Sequence, residues 1–277
     1  MFKVGGRDFD DPARRVGEIM RVVRIGIDAR AAFLDPHRGF GRVTRCLVNA
    51  MLALAPGEIV VFVPRGSHVP EPWYRLAASV VQLWRPRRGA FLFDGPAWRL
   101  TLRRHPVDVL YLPAWGVPPG IPVPVVGTFH DATPFRFPSP ASRWKRWRVR
   151  AGLRSLRRAT LVHAVSRHAA SEAVEYAGID PSRIRVVHWG VGPPFQPAAA
   201  PVEGEHVLYV GGLDPHKNLA VVLAAYSLPG AEALPPLVIA GPVSAAALPV
   251  GGRDLLARKR LRIEAHPDDA RLVELYQ

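Results

Sequence analysis

The stretch "HVLYVGGLDPHKNLAVVLAAY", residues 206–226, decides how the last part of this chain is read. Val207, Leu208, Tyr209 and Val210 form an apolar run of strand length, and Gly211-Gly212 lets the chain turn tightly after it. From Asn218 onward, Leu219, Val222, Leu223 and Tyr226 recur at helical spacing. A buried strand, a glycine turn, the His216-Lys217 pair and a helix start, in that order, describe an anion site. Backbone N–H groups at a helix N-terminus point outward with a favourable dipole, and a lysine there adds a full positive charge. An ordinary strand–helix turn with a solvated lysine has the same signature, so the rest of the chain has to separate the two.

Working outward, strands and helices alternate. "VRIGIDA" reads as a strand, "GFGRVTRCLVNAMLALA" as a glycine loop running into a helix, and "EIVVFVP" as a second strand. "VDVLYLPA" and "VPVVGTFHD" are further strands, and "RWKRWRVRAGLRSLRRA" is a helix. "TLVHAVS" is a strand ending at Ser166, whose hydroxyl can cap a helix that stops at Gly178. "RIRVVHWGV" is one more strand. After it, "GPPFQPAAAPVEGE" is rich in proline and small residues and reads as a linker over 196–205. The alternation restarts with "VLYVGG", a helix, "PLVIAG", a loop with a helix, "RLRIEAH" and a short helix near Pro267. Such a pattern predicts an α/β fold in which helices cover both faces of a parallel sheet. The expected division is a Rossmann-like domain over 21–195 and about half of a second one over 206–277. Residues 1–20 are polar and aperiodic and read as an extension that can be disordered, with Met20 an alternative start.

Composition limits the partners. The 277 residues are 48% hydrophobic, enough for a sizeable core and against a wholly disordered chain. Cys46 is the single cysteine, which leaves no internal disulfide and points to a reducing compartment. No run approaches the ~20 apolar residues that a membrane span requires. No charged stretch followed by an apolar core marks a secretion signal. The expected location is cytoplasmic. The net charge of +14 is carried mostly by arginine and suits nucleic acid, an anionic membrane leaflet or phosphorylated substrates. Coding bias toward arginine, proline and alanine produces the same surplus. No zinc-ligand spacing, RNA-binding aromatic signature or basic helix joined to heptads is present, so nucleic acid is not an expected partner.

Four loops follow strands, and in open α/β sheets ligands bind outside the carboxyl ends of strands. In "DPHRGFGRVTR", Gly39 and Gly41 permit close backbone approach, and Arg42 with the next helix start can meet an anion. The dinucleotide pattern G-x-G-x-x-G is not met, and an ordinary turn with solvated arginines remains open. In "GTFHDATP", His130 can donate a hydrogen bond to a substrate hydroxyl or carbonyl, and Asp131 can orient it or cap the next turn. A structural His-Asp turn is the alternative. No third ligand lies at a spacing that would make a metal site. In "AVSRHAASEA", Ser166 is most simply a cap, and no G-x-S-x-G nucleophile elbow is present. The fourth loop holds Gly212, His216 and Lys217. In the basic helix, Trp144, Trp147 and Ala151 share one face, with Val149, Leu153 and Leu156 nearby. Burial of that apolar side within its own domain is the default expectation, and docking on an anionic membrane surface is the alternative.

Taken in order, "IGIDAR…GFGRVTRCL", "VVGTFHDATPFRFP", "ATLVHAVSRHAASEAVEYAGIDPSRIRVVHWGV…F" and "VLYVGGLDPHKNL" resemble the family-4 retaining glycosyltransferases of the GT-B fold. The likeness is greatest to the bacterial mannosyltransferase-like branch. The ending "DDARLVELYQ" is similar to the family's helix just before its donor-sugar motif. The resemblance implies transfer of a sugar, mannose in that branch, from a UDP- or GDP-sugar to a glycan or lipid-linked acceptor with retained anomeric configuration. It implies an acceptor-side N-terminal domain, a nucleotide-binding C-terminal domain and no catalytic metal. Lys217 would match the diphosphate-binding lysine, Gly41 the glycine-loop position near the donor phosphate, and His130 the loop histidine near the transferred sugar. The lysine's usual arginine partner is His216 here, and the family's two donor-site glutamates are absent. The resemblance therefore implies a C-terminally truncated member, with a non-catalytic nucleotide-sugar- or acceptor-binding remnant as the alternative. A basic nucleic-acid-binding protein is more remote. A lipid-linked acceptor would suit peripheral contact with the inner face of the cell membrane.

Overall fold

The structure, a computed structural model, describes residues 22–34, 36, 39–83, 90–114, 116–137, 143–198 and 204–277. The 1–20 extension, Met20 and part of the expected linker lie outside the described residues. In chain order the elements begin with β1 (Ile25–Asp28), α1 (Ala31–Leu34), α2 (Gly39–Leu54) and β2 (Ile59–Pro64). There follow α3 (Glu71–Leu76), β3 (Ser79–Leu83), α4 (Ala90–Arg104), β4 (Val109–Leu112) and β5 (Val125–Phe129). Next come α5 (Thr133–Arg136), α6 (Arg143–Arg154), β6 (Leu161–Ala164), α7 (Arg167–Ala177) and β7 (Ile184–Val186). The last part holds β8 (Val207–Val210), α8 (Leu219–Ala225), β9 (Leu237–Gly241), α9 (Val250–Ala257), β10 (Leu261–Ala265) and α10 (Asp269–Tyr276). Two units separate. The first holds the described residues up to Ala132 together with Arg143–His188; the second holds the described part of 133–142 and Trp189–Gln277.

In the first unit the strands form one seven-stranded sheet in the order β3-β2-β1-β4-β5-β6-β7, and every pairing is parallel. The continuous apolar run of β2 explains its place, since all six of its residues are buried and only a strand covered on both faces can be apolar throughout. Ile27, Ile59 and Val61 pack on one face with Val48 and Leu52 of α2 and Trp73 of α3. Phe62 points to the other face, where its ring meets Trp98 of α4 edge-on at 4.9 Å.

The second unit repeats the plan on a smaller scale, with a parallel sheet in the order β10-β9-β8. Alternate residues of β9 serve two faces, as strand geometry demands. Leu237 and Ile239 join Leu219 and Leu223 of α8 and Leu255 of α9, whereas Val238 and Ala240 meet Leu275 of α10. The α/β class and the pair of Rossmann-like sheets expected of a GT-B chain are thus in place.

Local differences have physical causes. The "GFG" segment is not a loop: α2 begins at Gly39, and a Cβ added there would meet nothing within 4 Å, so nothing obliges glycine to leave the helix. The basic helix ends at Arg154 and tightens into a 3₁₀ turn over Ser155–Arg158. There the Ser155 hydroxyl donates to Gly152 O at 2.6 Å and accepts the Val117 N–H at 2.8 Å. The strand expected through Val191 stops at Val186, opposite Ala164, where its ladder partner β6 also ends. Strand β8 is exposed at both ends rather than buried. It lies at a sheet edge with β9 on one side.

Candidate functional site

The strand order of the first unit reverses at β1, between β2 and β4, which makes the carboxyl end of β1 the topological switch point. A buried charge cluster occupies it. Arg30 grips Asp28 with two parallel bonds, Nε to Oδ1 at 2.8 Å and Nη2 to Oδ2 at 2.7 Å. It reaches Asp94 at 3.3 Å and lies 5.3 Å from the centre of the Trp98 ring. Arg30 and Asp28 are 4% and 3% exposed, so the pair is shielded from water. Burial acts to lower the Arg30 pKa, but the charges and hydrogen bonds of Asp28 and Asp94 raise it overall, and the guanidinium stays charged. This cluster ties β1 to α4 and fixes the floor beside the switch point. Sequence reading missed it, although "GIDAR" carried the signal: a carboxylate and a cation at the end of an apolar strand.

His130 follows β5. Its Nε2 lies 2.8 Å from the Pro113 carbonyl, which can only accept, so the neutral ring carries its proton on Nε2. Burial pushes the His130 pKa down against the opposing pull of Pro113 and of the Asp131 charge, and nearby His163 adds to the lowering. The bond to Pro113 holds the His130 ring against the end of β4. Phe40, in the first turn of α2, meets the His130 ring edge-on at 4.6 Å. Asp131 is exposed. The next backbone N–H, of Ala132, donates to the buried Glu172 carboxylate of α7 at 3.0 Å, which holds this loop against the helix. Glu172 also meets His168 at 3.2 Å, an i,i+4 pair that "SRHAASEA" displayed without revealing its role.

Ser166 is the N-cap of α7. Its Oγ accepts the Ala169 N–H at 3.0 Å, and Gly178 closes the helix at φ 64°. Gly39 and Gly41 lie in the first turn of α2, with Gly41 buried and Arg42 half-buried one residue on.

In the second unit the turn after β8 is internally braced. The Gly211 N–H donates to Ala240 O at 3.0 Å, and the Tyr209 hydroxyl donates to Gly212 O at 2.8 Å. Pro215, His216 and Lys217 form a 3₁₀ turn, and Asn218 at φ 53° redirects the chain into α8, whose start has no side-chain cap. Lys217 thus ends the 3₁₀ turn directly before Asn218, the N-cap of α8, and is exposed and without an ion-pair partner among the described residues. The His216 ring is 6.1 Å from Phe137. Gly241, at the end of β9 with φ 155°, lies so close to the Gly211 carbonyl that a Cβ would collide with it. That glycine fixes the turn from behind, and sequence reading passed over it. Among the described residues no three His, Cys, Asp or Glu side chains gather as a metal would need, and no helix is long and apolar enough to cross a membrane.

The family model described as Glycosyltransferase Family 4 matches residues 37–193, more than half of the chain. The chain belongs to that family. Solved structures share the fold of this family-4 glycosyltransferase. HepE of Anabaena, in complex with UDP and glucose, is 14% identical with a TM-score of 0.55, covering 89% of this chain and 70% of HepE. WaaG, a glycosyltransferase involved in lipopolysaccharide biosynthesis, is 13% identical with a TM-score of 0.59, over 89% and 71% of the two chains. A glycosyltransferase from Rickettsia africae is 14% identical with a TM-score of 0.58, over 92% and 71%. No curated protein sequence matches the chain. Within the family-4 region lie Gly39, Gly41, Arg42, His130, Asp131 and Ser166, whereas Gly212, His216 and Lys217 lie beyond it.

Proposed function

We propose that this family-4 chain moves a sugar from a nucleotide diphosphate sugar to a glycan or lipid-linked acceptor with retained anomeric configuration. The second unit takes the nucleotide and the first takes the acceptor. The observation that carries the reading is Lys217, exposed beside the braced Gly211-Gly212 turn with no ion-pair partner among the described residues. When the bond from the anomeric carbon to the donor oxygen breaks, negative charge develops on the departing diphosphate, and a fixed cation beside backbone donors lowers that barrier. Gly212 lets the donor approach the backbone, His216 flanks the lysine, and Gly41 with Arg42 serves the phosphate side of the first unit. His130 lies beside the transferred sugar, and Asp131 orients the loop. The reading calls for no resident metal.

HepE has been captured with UDP-glucose, which makes that donor, beside GDP-mannose, the first to test. Titration of the 277-residue chain with UDP and GDP by calorimetry should give saturable binding. Lys217→Ala should weaken it by about 1.5–3 kcal/mol, the worth of a charged hydrogen bond. Unchanged affinity would remove Lys217 from the site. Binding of the nucleotide without turnover would favour a nucleotide-sugar-binding role for the chain, a reading supported by the three-stranded sheet of its second unit.

A further inference from the structure

The segment between β8 and Pro215 carries backbone donors in a row. Among the described residues, the N–H groups of Gly212, Leu213 and Asp214 meet no acceptor. The Gly211 N–H before them is spent on Ala240 O, and the Lys217 N–H after them on Asp214 O. Successive backbone N–H groups in a turn make concavities that take anions. Such a run works only while its peptide planes keep one orientation, because each plane also carries an acceptor. Glycine restrains its own plane least of all residues.

One side chain fixes the middle plane. The Tyr209 hydroxyl donates to Gly212 O at 2.8 Å, a distance typical of a well-formed bond. The peptide from Gly212 to Leu213 is trans, so its carbonyl and its N–H point in opposite directions. Tyr209 packs against the core cluster that holds Leu219, Leu223 and Ile239. With Gly212 O tied to that tyrosine, the Leu213 N–H is turned away from it, to the outside of the unit. The ring is held in its turn: a Cβ on Gly211 would come within 3.3 Å of the hydroxyl oxygen, so the ring lies against the Gly211 backbone. Burial pushes the Tyr209 pKa up, and the Asp214 charge adds to the rise, so the hydroxyl keeps the proton it donates. Gly212 has no comparable brace of its own, since a Cβ there would meet only Asp214 Oδ2 at 3.4 Å and Pro242 Cγ at 3.7 Å.

We propose that Tyr209 is a positioning residue for the donor diphosphate: by holding Gly212 O it keeps the Leu213 N–H turned outward to bond a phosphate oxygen. The inference rests on the sugar-transfer reading of this turn and adds a directional, uncharged contact to the charge of Lys217. Without the hydroxyl the plane is free to turn over, and Gly212 O would then present the negative end of the peptide dipole to the phosphate.

The test is calorimetric titration of the full chain with UDP and GDP, beside Tyr209→Phe and Lys217→Ala. Tyr209→Phe removes the hydroxyl and leaves the ring against Gly211 and the core. It should weaken binding of whichever nucleotide the wild type takes by about tenfold, the worth of one hydrogen bond, while the urea midpoint barely moves. A second readout is the Leu213 amide resonance of the ¹⁵N-labelled chain. Its proton should shift downfield as nucleotide saturates the wild type, and the shift should be lost in Tyr209→Phe, which a purely structural hydroxyl would not cause. The wild-type resonance carries the test alone if the variant does not fold. Unchanged affinity in folded Tyr209→Phe, or a Leu213 amide that stays in place at saturation, would overturn the proposal. If Lys217→Ala loses affinity and Tyr209→Phe does not, the nucleotide site stands and the role of Tyr209 falls. No binding of either nucleotide by the wild type would overturn both.

Discussion

Asp28→Asn isolates the charge cluster at the switch point. Asparagine keeps the shape of the side chain and one acceptor for the Arg30 Nε, but it removes the negative charge and turns an N–H toward Nη2, now 2.7 Å from Oδ2. Removing one partner of a buried ion pair costs about 3–5 kcal/mol, because the other charge stays behind in a poor solvent. Asp94, 14% exposed and 3.3 Å from Nη1, still offers a carboxylate, so the lower end, about 3 kcal/mol, is expected. That is a large share of the 5–15 kcal/mol that holds a typical domain together. Urea unfolding followed by circular dichroism measures it as a drop in midpoint at constant slope. Asp28→Leu combined with Arg30→Met removes both charges and should unfold within about 1 kcal/mol of the wild type, since an apolar pair replaces a buried ionic one at little cost. A loss below about 1 kcal/mol in Asp28→Asn would refute the argument, as it would mean that Asp94 alone satisfies Arg30.

Gly241→Ala should cost about 1–3 kcal/mol and weaken nucleotide binding, because its Cβ would displace the Gly211 carbonyl. Gly251→Ala, in α9 with open space around the new methyl, should instead stabilise by about 0.5–1 kcal/mol; thermal unfolding compares the two. Burial holds the His130 and His163 pKa values below their usual range, so the folded state binds fewer protons than the unfolded one. The stability they support is complete above the unfolded pKa of about 6.5 and is lost as pH falls below it; His163→Asn should flatten that slope in urea midpoints taken across the window. Ser166→Ala should cost about 1 kcal/mol through the lost cap, and a Ser166→Asp control should keep most of the stability.

What could be read ahead of the structure followed from local physics. The Ser166 cap and the Gly178 stop depend on a few neighbouring residues, and each is where its pattern placed it. The strand β3 with its flanking helices α3 and α4 went unread. "SVVQL" is short, and Pro96 sits inside α4, where proline normally argues against a helix. The charge cluster was hidden for another reason: Asp94 lies 64 residues from Arg30, and only the closed sheet brings them together. Glu172 went unread for the same reason, since its bond to the Ala132 N–H spans 40 residues. At the β8 turn the residue types were legible, but the left-handed Asn218 that places Lys217 ahead of the helix was not.

The edge-on contact between Phe40 and His130 has a spectroscopic consequence. With ring planes 75° apart, the edge protons of one ring lie over the face of the other and are shielded by its ring current. A ligand that moves the first turn of α2, or that draws the imidazole toward a hydroxyl, changes that shielding at once. The His130 ring resonances should therefore shift on occupancy, so the residue assigned to receive the sugar also carries its own reporter.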